Sequence, residues 1–162
     1  LTDMADPPAL SGNQLRLVWY MHTMQTLSRT APVARVLAVD ARDVYFQREP
    51  LAALERATSS ASGGGRCGLV LIADCRSCAA LEDDYFRRQG VRCLPPGALA
   101  AIGHQNPPLN GGVVLGTPPL LLRLYSTAVR FAATADDECR AMGRDQHLLT
   151  AAGFELQRDA RL

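Results

Sequence analysis

The sequence predicts an α/β domain built on a mostly parallel sheet flanked by helices. Three observations carry this. Val36-Leu-Ala-Val39 and Leu69-Val-Leu-Ile-Ala73 are apolar runs without alternation, the pattern of strands covered on both faces. Each run stops at an aspartate, Asp40 and Asp74, the kind of residue that lines the carboxyl edge of an open sheet. Strand-like stretches at 35–40, 68–73 and 110–116 alternate with helical stretches, and no internal repeat interrupts them.

The elements follow in order. Residues 1–10 are polar around Pro7-Pro8 and read as a frayed entry. Ser11 or Asn13 can cap a helix to about Ser28, because Leu17, Met21, Met24 and Leu27 recur at helical spacing. Pro32 closes it. After the first strand, Glu49-Pro50 opens a short helix with Leu51 and Leu54 inward. The Ser/Gly-rich stretch 58–65 reads as a surface loop; its three glycines lack the Gly-Lys-Ser/Thr ending of a phosphate loop. Beyond the second strand, residues 78–89 read as a helix, 91–94 as a short strand, and 97–102 as a short helical turn. His104-Gln-Asn-Pro-Pro108 reads as an exposed loop of the kind that serves active sites. Leu109-Asn-Gly-Gly-Val-Val-Leu-Gly116 is the third strand, and its glycines signal close approach of a ligand or of another segment. Thr117 caps a helix opened by Pro118-Pro119 and running to about Ala133. The acidic run Asp136-Asp137-Glu138 suits the positive end of a last helix, which holds Asp145-Gln146 and stops near Gly153.

Bulk properties narrow the function. The 162 residues suffice for one domain, 1–162. Net charge is +1 and aromatics make up 6%, so neither a basic field nor a stacking surface points to nucleic acid. Lysine is absent, which reflects base composition rather than function. No apolar run approaches the ~18 residues that a membrane helix needs. The chain begins with Leu and has no signal peptide, so it reads as a piece of a longer protein. Five cysteines leave at least one unpaired in a monomer. Cys75-Arg-Ser-Cys78 has the spacing of a redox or zinc half-site without a second pair; small buried residues, or one or two lumenal disulfides, are the alternative.

The candidate chemistry centres on Asp40-Ala-Arg-Asp43. Two carboxylates at a strand end repel unless a cation lies between them. A hard divalent ion, Mn2+ or Mg2+, shared with substrate phosphates satisfies both; pairing with Arg35 or Arg42 is the plain alternative. Asp74 either orients a substrate hydroxyl or caps the helix that follows it. Asn110 either hydrogen-bonds a sugar or phosphate, or belongs to a bulge packed on a helix. Asp145 and Gln146 either project into a cleft or cap and solvate their helix.

Taken in order, Val36-Leu-Ala-Val-Asp-Ala-Arg-Asp-Val-Tyr-Phe, Leu109-Asn-Gly-Gly-Val-Val-Leu-Gly and Asp145-Gln146 resemble three stretches of metal-dependent, nucleotide-sugar glycosyltransferases with the GT-A fold. The chain is similar to the glycosyltransferase domain of the collagen lysyl hydroxylase and procollagen galactosyltransferase group. It is also similar to plant and algal nucleotide-diphospho-sugar transferases. The resemblance covers about residues 35–150. It implies that Asp40 and Asp43 hold Mn2+ (or Mg2+) and the donor diphosphate, that Arg42, Asn110, Gly111 and Gly112 line the donor, and that Asp145, Gln146 and Asp74 serve near the anomeric centre or the acceptor hydroxyl. The partners implied are a nucleoside-diphosphate sugar and a hydroxyl-bearing protein or glycan, in a Golgi or secretory lumen. Two departures stand out: the N-terminal nucleotide-binding strand is missing, and no histidine follows the last helix as a further metal ligand. A metal-dependent phosphohydrolase is a weaker match, since it wants Asp-x-Asp. A non-catalytic sugar- or protein-binding domain is the remaining alternative.

Overall fold

The computed structural model describes residues 10–30, 32–40, 50–53, 56, 68–73 and 93–159. The first helix, α1 (Gln14–Thr30), buries Leu17, Met21 and Met24 along one stripe, as their spacing predicts. Ser11 does not cap it with its hydroxyl. That Oγ donates to the Arg140 carbonyl at 2.6 Å, and the Ser11 carbonyl accepts the Gln14 N–H instead. Strands β1 (Val36–Val39) and β2 (Leu69–Ala73) follow. Helix α2 (Pro96–Ile102) starts on a proline, whose missing N–H costs nothing in a first turn, and ends at Gly103 with φ +66°. Strand β3 (Leu109–Gly116) leads into α3 (Pro118–Thr134). Thr117 precedes α3 but makes no side-chain cap; its carbonyl accepts from Leu120 and Leu121. Asp136 does cap the short α4 (Asp137–Ala141), accepting the Cys139 N–H at 2.8 Å.

The last helix, α5 (Gln146–Asp159), runs past the expected stop at Gly153. Gly153 is not a terminator. It is a point of close approach, where an added Cβ would lie 2.5 Å from Leu71 Cδ1 and 2.8 Å from Leu109 Cδ1.

The expected mostly parallel sheet is not what forms. Among the described residues the sheet has three strands in the order β1-β3-β2, and β3 runs antiparallel to both neighbours. Helices dominate the rest. The strands lie where the apolar runs predict, but an apolar run carries no direction, and strand direction defines the fold class. Burial differs too. All four residues of β1 are only half-buried and Ile72 of β2 is 40% exposed, so neither strand is covered on both faces.

The core lies between α3, the helices α1 and α5 beside it, and one face of the sheet. Leu121, Leu124, Tyr125, Ala128 and Phe131 of α3 are its centre. A disulfide between Cys93 and Cys139, with Cα atoms 5.5 Å apart, ties the segment before α2 to α4. No described helix is long and apolar enough to cross a membrane. The expected strand at 91–94 does not form over Cys93 and Leu94, its described half; its start at 91–92, the expected helix at 78–89 and the Cys75–Cys78 pair lie outside the described residues.

Candidate functional site

β3 runs opposite to β1, so the start of β3 and the end of β1 meet at one edge of the sheet. There the register with β2 breaks: Leu71 pairs with Val114, but Ile72 pairs with Asn110. The break is a bulge containing Gly111 and Gly112, and it has close neighbours. A Cβ on Gly111 would stand 3.0 Å from Leu149 Cδ1 and 3.6 Å from Arg16 Nη2. One on Gly112 would stand 3.0 Å from Asn110 Oδ1 and 3.5 Å from Asp40 Cβ. The glycines therefore answer first to other segments of the chain, which is the bulge alternative read from the sequence. The Asp40 N–H donates to the Gly112 carbonyl at 2.7 Å, and the Gly112 N–H donates to Asn110 Oδ1 at 2.7 Å.

The start of α5 closes the site from the other side. The Thr150 hydroxyl oxygen accepts the Leu109 N–H at 3.0 Å and pins the helix to β3. That puts Gln146, the first residue of α5, 3.9 Å by its Cα from a Cβ built on Gly111. Asp145 lies just ahead of it and is 3% exposed.

Arg16 joins these parts. From the first turn of α1, its Nε donates to Asp145 Oδ2 and its Nη1 donates to Asp40 Oδ2 at 3.2 Å. The Asp40 arm is partly open, with side-chain exposures of 25% for Arg16 and 22% for Asp40. The Asp145 arm is closed. Burial pushes the Arg16 guanidinium down, but the hydrogen bond and charge of Asp145, with Tyr20 and Asp40, together raise it, so it stays cationic. Burial raises the Asp145 carboxyl above the usual aspartate range, although Arg16 pulls it back in part. Beside them, Tyr125 is 1% exposed and its ring packs on Tyr20 at 5.1 Å. Its hydroxyl has no partner among the described residues, and burial, then Tyr20, holds the phenol up, so it stays neutral.

The structure thus gathers Asp40, Asn110, Gly111, Gly112, Asp145 and Gln146 at one sheet edge. Asp43, Arg42 and Asp74 lie outside the described residues. Sequence reading missed Arg16, although a signal was present: it is the one charged residue in the first half of an apolar helix. It also missed Tyr125, whose helical spacing marked it only as core.

Of the two aspartates expected to hold a metal, only Asp40 is among the described residues, and its Oδ2 accepts from Arg16 Nη1. Asp40 offers carboxylate oxygen at a partly open strand end, and a hard divalent ion needs only one or two such groups beside substrate phosphates. Among the described residues, no three His, Cys, Asp or Glu side chains converge, so a closed all-protein metal cage is not formed there. Compared with known proteins, the chain matches no family model, no curated protein and no solved structure.

Proposed function

We propose that this chain carries the donor site of a nucleotide-sugar-dependent glycosyltransferase, which moves a sugar from a nucleoside diphosphate to a hydroxyl acceptor. The observation that supports it is the Arg16 bridge. Asp40 and Asp145, 105 positions apart in sequence, share one guanidinium beside the Asn110-Gly-Gly bulge. In this reading Asp40 and Asp43 hold the divalent ion and Arg42, Asn110, Gly111 and Gly112 face the donor. Gln146 and Asp145 fix the sugar end, and Asp74 accepts the proton from the acceptor hydroxyl. When bound, Mn2+ or Mg2+ neutralises charge growing on the leaving diphosphate, a contribution of several kcal/mol. Asp145 orients groups rather than taking the proton, since it is buried and already bound to Arg16. The Cys93–Cys139 disulfide supports an oxidising compartment such as a secretory lumen.

A second reading rests on the same bridge: Arg16 already pairs Asp40 and Asp145, which suits a non-catalytic domain stabilised by a charge cluster. Release of nucleoside diphosphate separates the two. Incubated with Mn2+ and common nucleotide sugars, the protein is expected to release nucleoside diphosphate from at least one, and Asp40→Ala is expected to lower that rate at least roughly 100-fold. No release above the protein-free rate from any donor favours the non-catalytic domain, and release that Asp40→Ala leaves unchanged overturns the role given to Asp40.

A further inference from the structure

We propose that the outward face of α1, centred on Trp19, is a binding platform for a neutral saccharide. The face takes no part in the Arg16 bridge, so it serves whether or not the sheet edge binds a nucleotide.

Four large apolar side chains are exposed among the described residues: Leu15, Trp19, Leu51 and Ile72. Two of them, Leu15 and Trp19, sit one turn apart on α1, and Trp19 is the most open of the four at 74%. His22, Thr23 and Thr26 are exposed as well, and at about 3.6 residues per turn all five fall within an arc of about 100°. That arc lies opposite the stripe of Leu17, Met21 and Met24 that enters the core. No Asp, Glu, Lys or Arg occurs between Arg16 and Arg29. The outward face of a surface helix is normally polar and charged. An uncharged face that exposes an indole fits a neutral ligand.

The polar groups on this face narrow the ligand further. The Thr23 hydroxyl donates to the Trp19 carbonyl at 2.9 Å, and the Thr26 hydroxyl donates to the His22 carbonyl at 3.0 Å. Each hydroxyl thereby uses its one hydrogen within the helix and keeps lone pairs to accept with. Acceptors beside an aromatic ring suit a ligand that brings O–H donors around an apolar C–H face, and a pyranose is such a ligand. Its C–H groups, slightly positive, match the negative face of the indole. The patch is also small. An indole buries at most about 250 Å². With Leu15 beside it, the patch stays well short of the ~800 Å² per partner in a stable protein interface. A lipid surface fits less well, because it favours Lys and Arg along the polar side of a helix.

Trp19 is the single tryptophan of the chain, so its emission reports on this face alone. Lactose, cellobiose, maltose and mannobiose are titrated into the whole chain, followed by that emission and by calorimetry. At least one of them is expected to give a saturable change. Trp19→Ala is expected to weaken that binding roughly tenfold or more. Thr23→Val, which removes the accepting oxygen and keeps the shape, is expected to weaken it roughly two- to tenfold. Both residues are exposed, so the unfolding midpoints of the variants are expected to stay at the wild-type value. No saturable change with any of the four sugars, or calorimetric binding that Trp19→Ala retains, overturns the proposal. So does an emission that shifts with protein concentration in the absence of sugar while the sedimenting mass doubles, since the face is then a contact between copies of the chain.

Discussion

His147 is one turn into α5, 2% exposed, and its Nδ1 has no partner among the described residues. Burial, helped by Arg144, lowers its pKa from 6.5 to about 4. A histidine depressed in the folded state stabilises the fold fully above its unfolded value. That contribution is lost as pH falls through the window from 6.5 to about 4. Over that window the loss is about 2–3 kcal/mol. Asp145 acts with the opposite sign: its ionisation penalty is present above its raised folded pKa and is relieved as pH falls through it. The wild-type slope therefore mixes the two groups, and a variant separates them. Denaturant unfolding from about pH 7 to about pH 4.5 is expected to show a flatter profile for His147→Gln than for wild type. Parallel profiles would mean that His147 is not held neutral by the fold. At this scale the sequence shows which residues can titrate. It does not show which of them are buried or paired, so Asp145 was legible as a candidate while its pairing with Arg16 was not.

At the scale of elements, α1 and the turn before α5 are held together by backbone. Gly12 and Gly143 both have positive φ, +52° and +62°, and face each other. The Asn13 N–H donates to the Gly143 carbonyl at 2.6 Å, and Gln14 Nε2 donates to the Arg144 carbonyl at 3.2 Å. This crossing sets the first turn of α1 against residue 145, and so it places Arg16 on Asp145. An alanine Cβ at 143 would lie 3.0 Å from Gly12 Cα and from the Ser11 carbonyl oxygen, backbone atoms that cannot move aside cheaply. Gly143→Ala is expected to destabilise the fold by about 1–3 kcal/mol. Gly97→Ala, in α2 where the added Cβ meets nothing, is expected to be neutral or stabilising by up to about 1 kcal/mol. Equal unfolding midpoints for the two variants would contradict this account of the crossing. The helices themselves were legible because 3.6-residue periodicity is local. The extension of α5 beyond Gly153 was not, because that glycine serves contacts with Leu71 and Leu109, which lie far away in sequence.

At the scale of the molecule, the positions of three strands were legible and their directions were not. Apolar runs such as Val36–Val39 fix where a strand lies, while pairing partners decide which way it runs. The half-exposure of β1 escaped for the same reason, since covering layers are a property of the whole assembly. The convergence of Asp40, Asn110 and Asp145 was anticipated only through the resemblance, and the antiparallel β3 brings them together by a route the sequence did not announce. The Cys93–Cys139 bridge was one of several pairings open to five cysteines, and spacing alone does not choose among them. It closes a loop of 46 residues and, in the chain-entropy model, is worth about 4 kcal/mol against the unfolded chain.

The central proposal is that Asp40 and Asp43 hold a divalent ion through which the chain binds a nucleoside diphosphate. The most direct measurement is calorimetric titration of UDP and the other common nucleoside diphosphates, with and without Mn2+, into the wild type and the Asp40→Ala, Asp43→Ala double variant. Binding that requires Mn2+ and disappears in the double variant is the predicted result. Binding of none of them by the wild type and by the full-length gene product, or binding that the double variant retains, would contradict it.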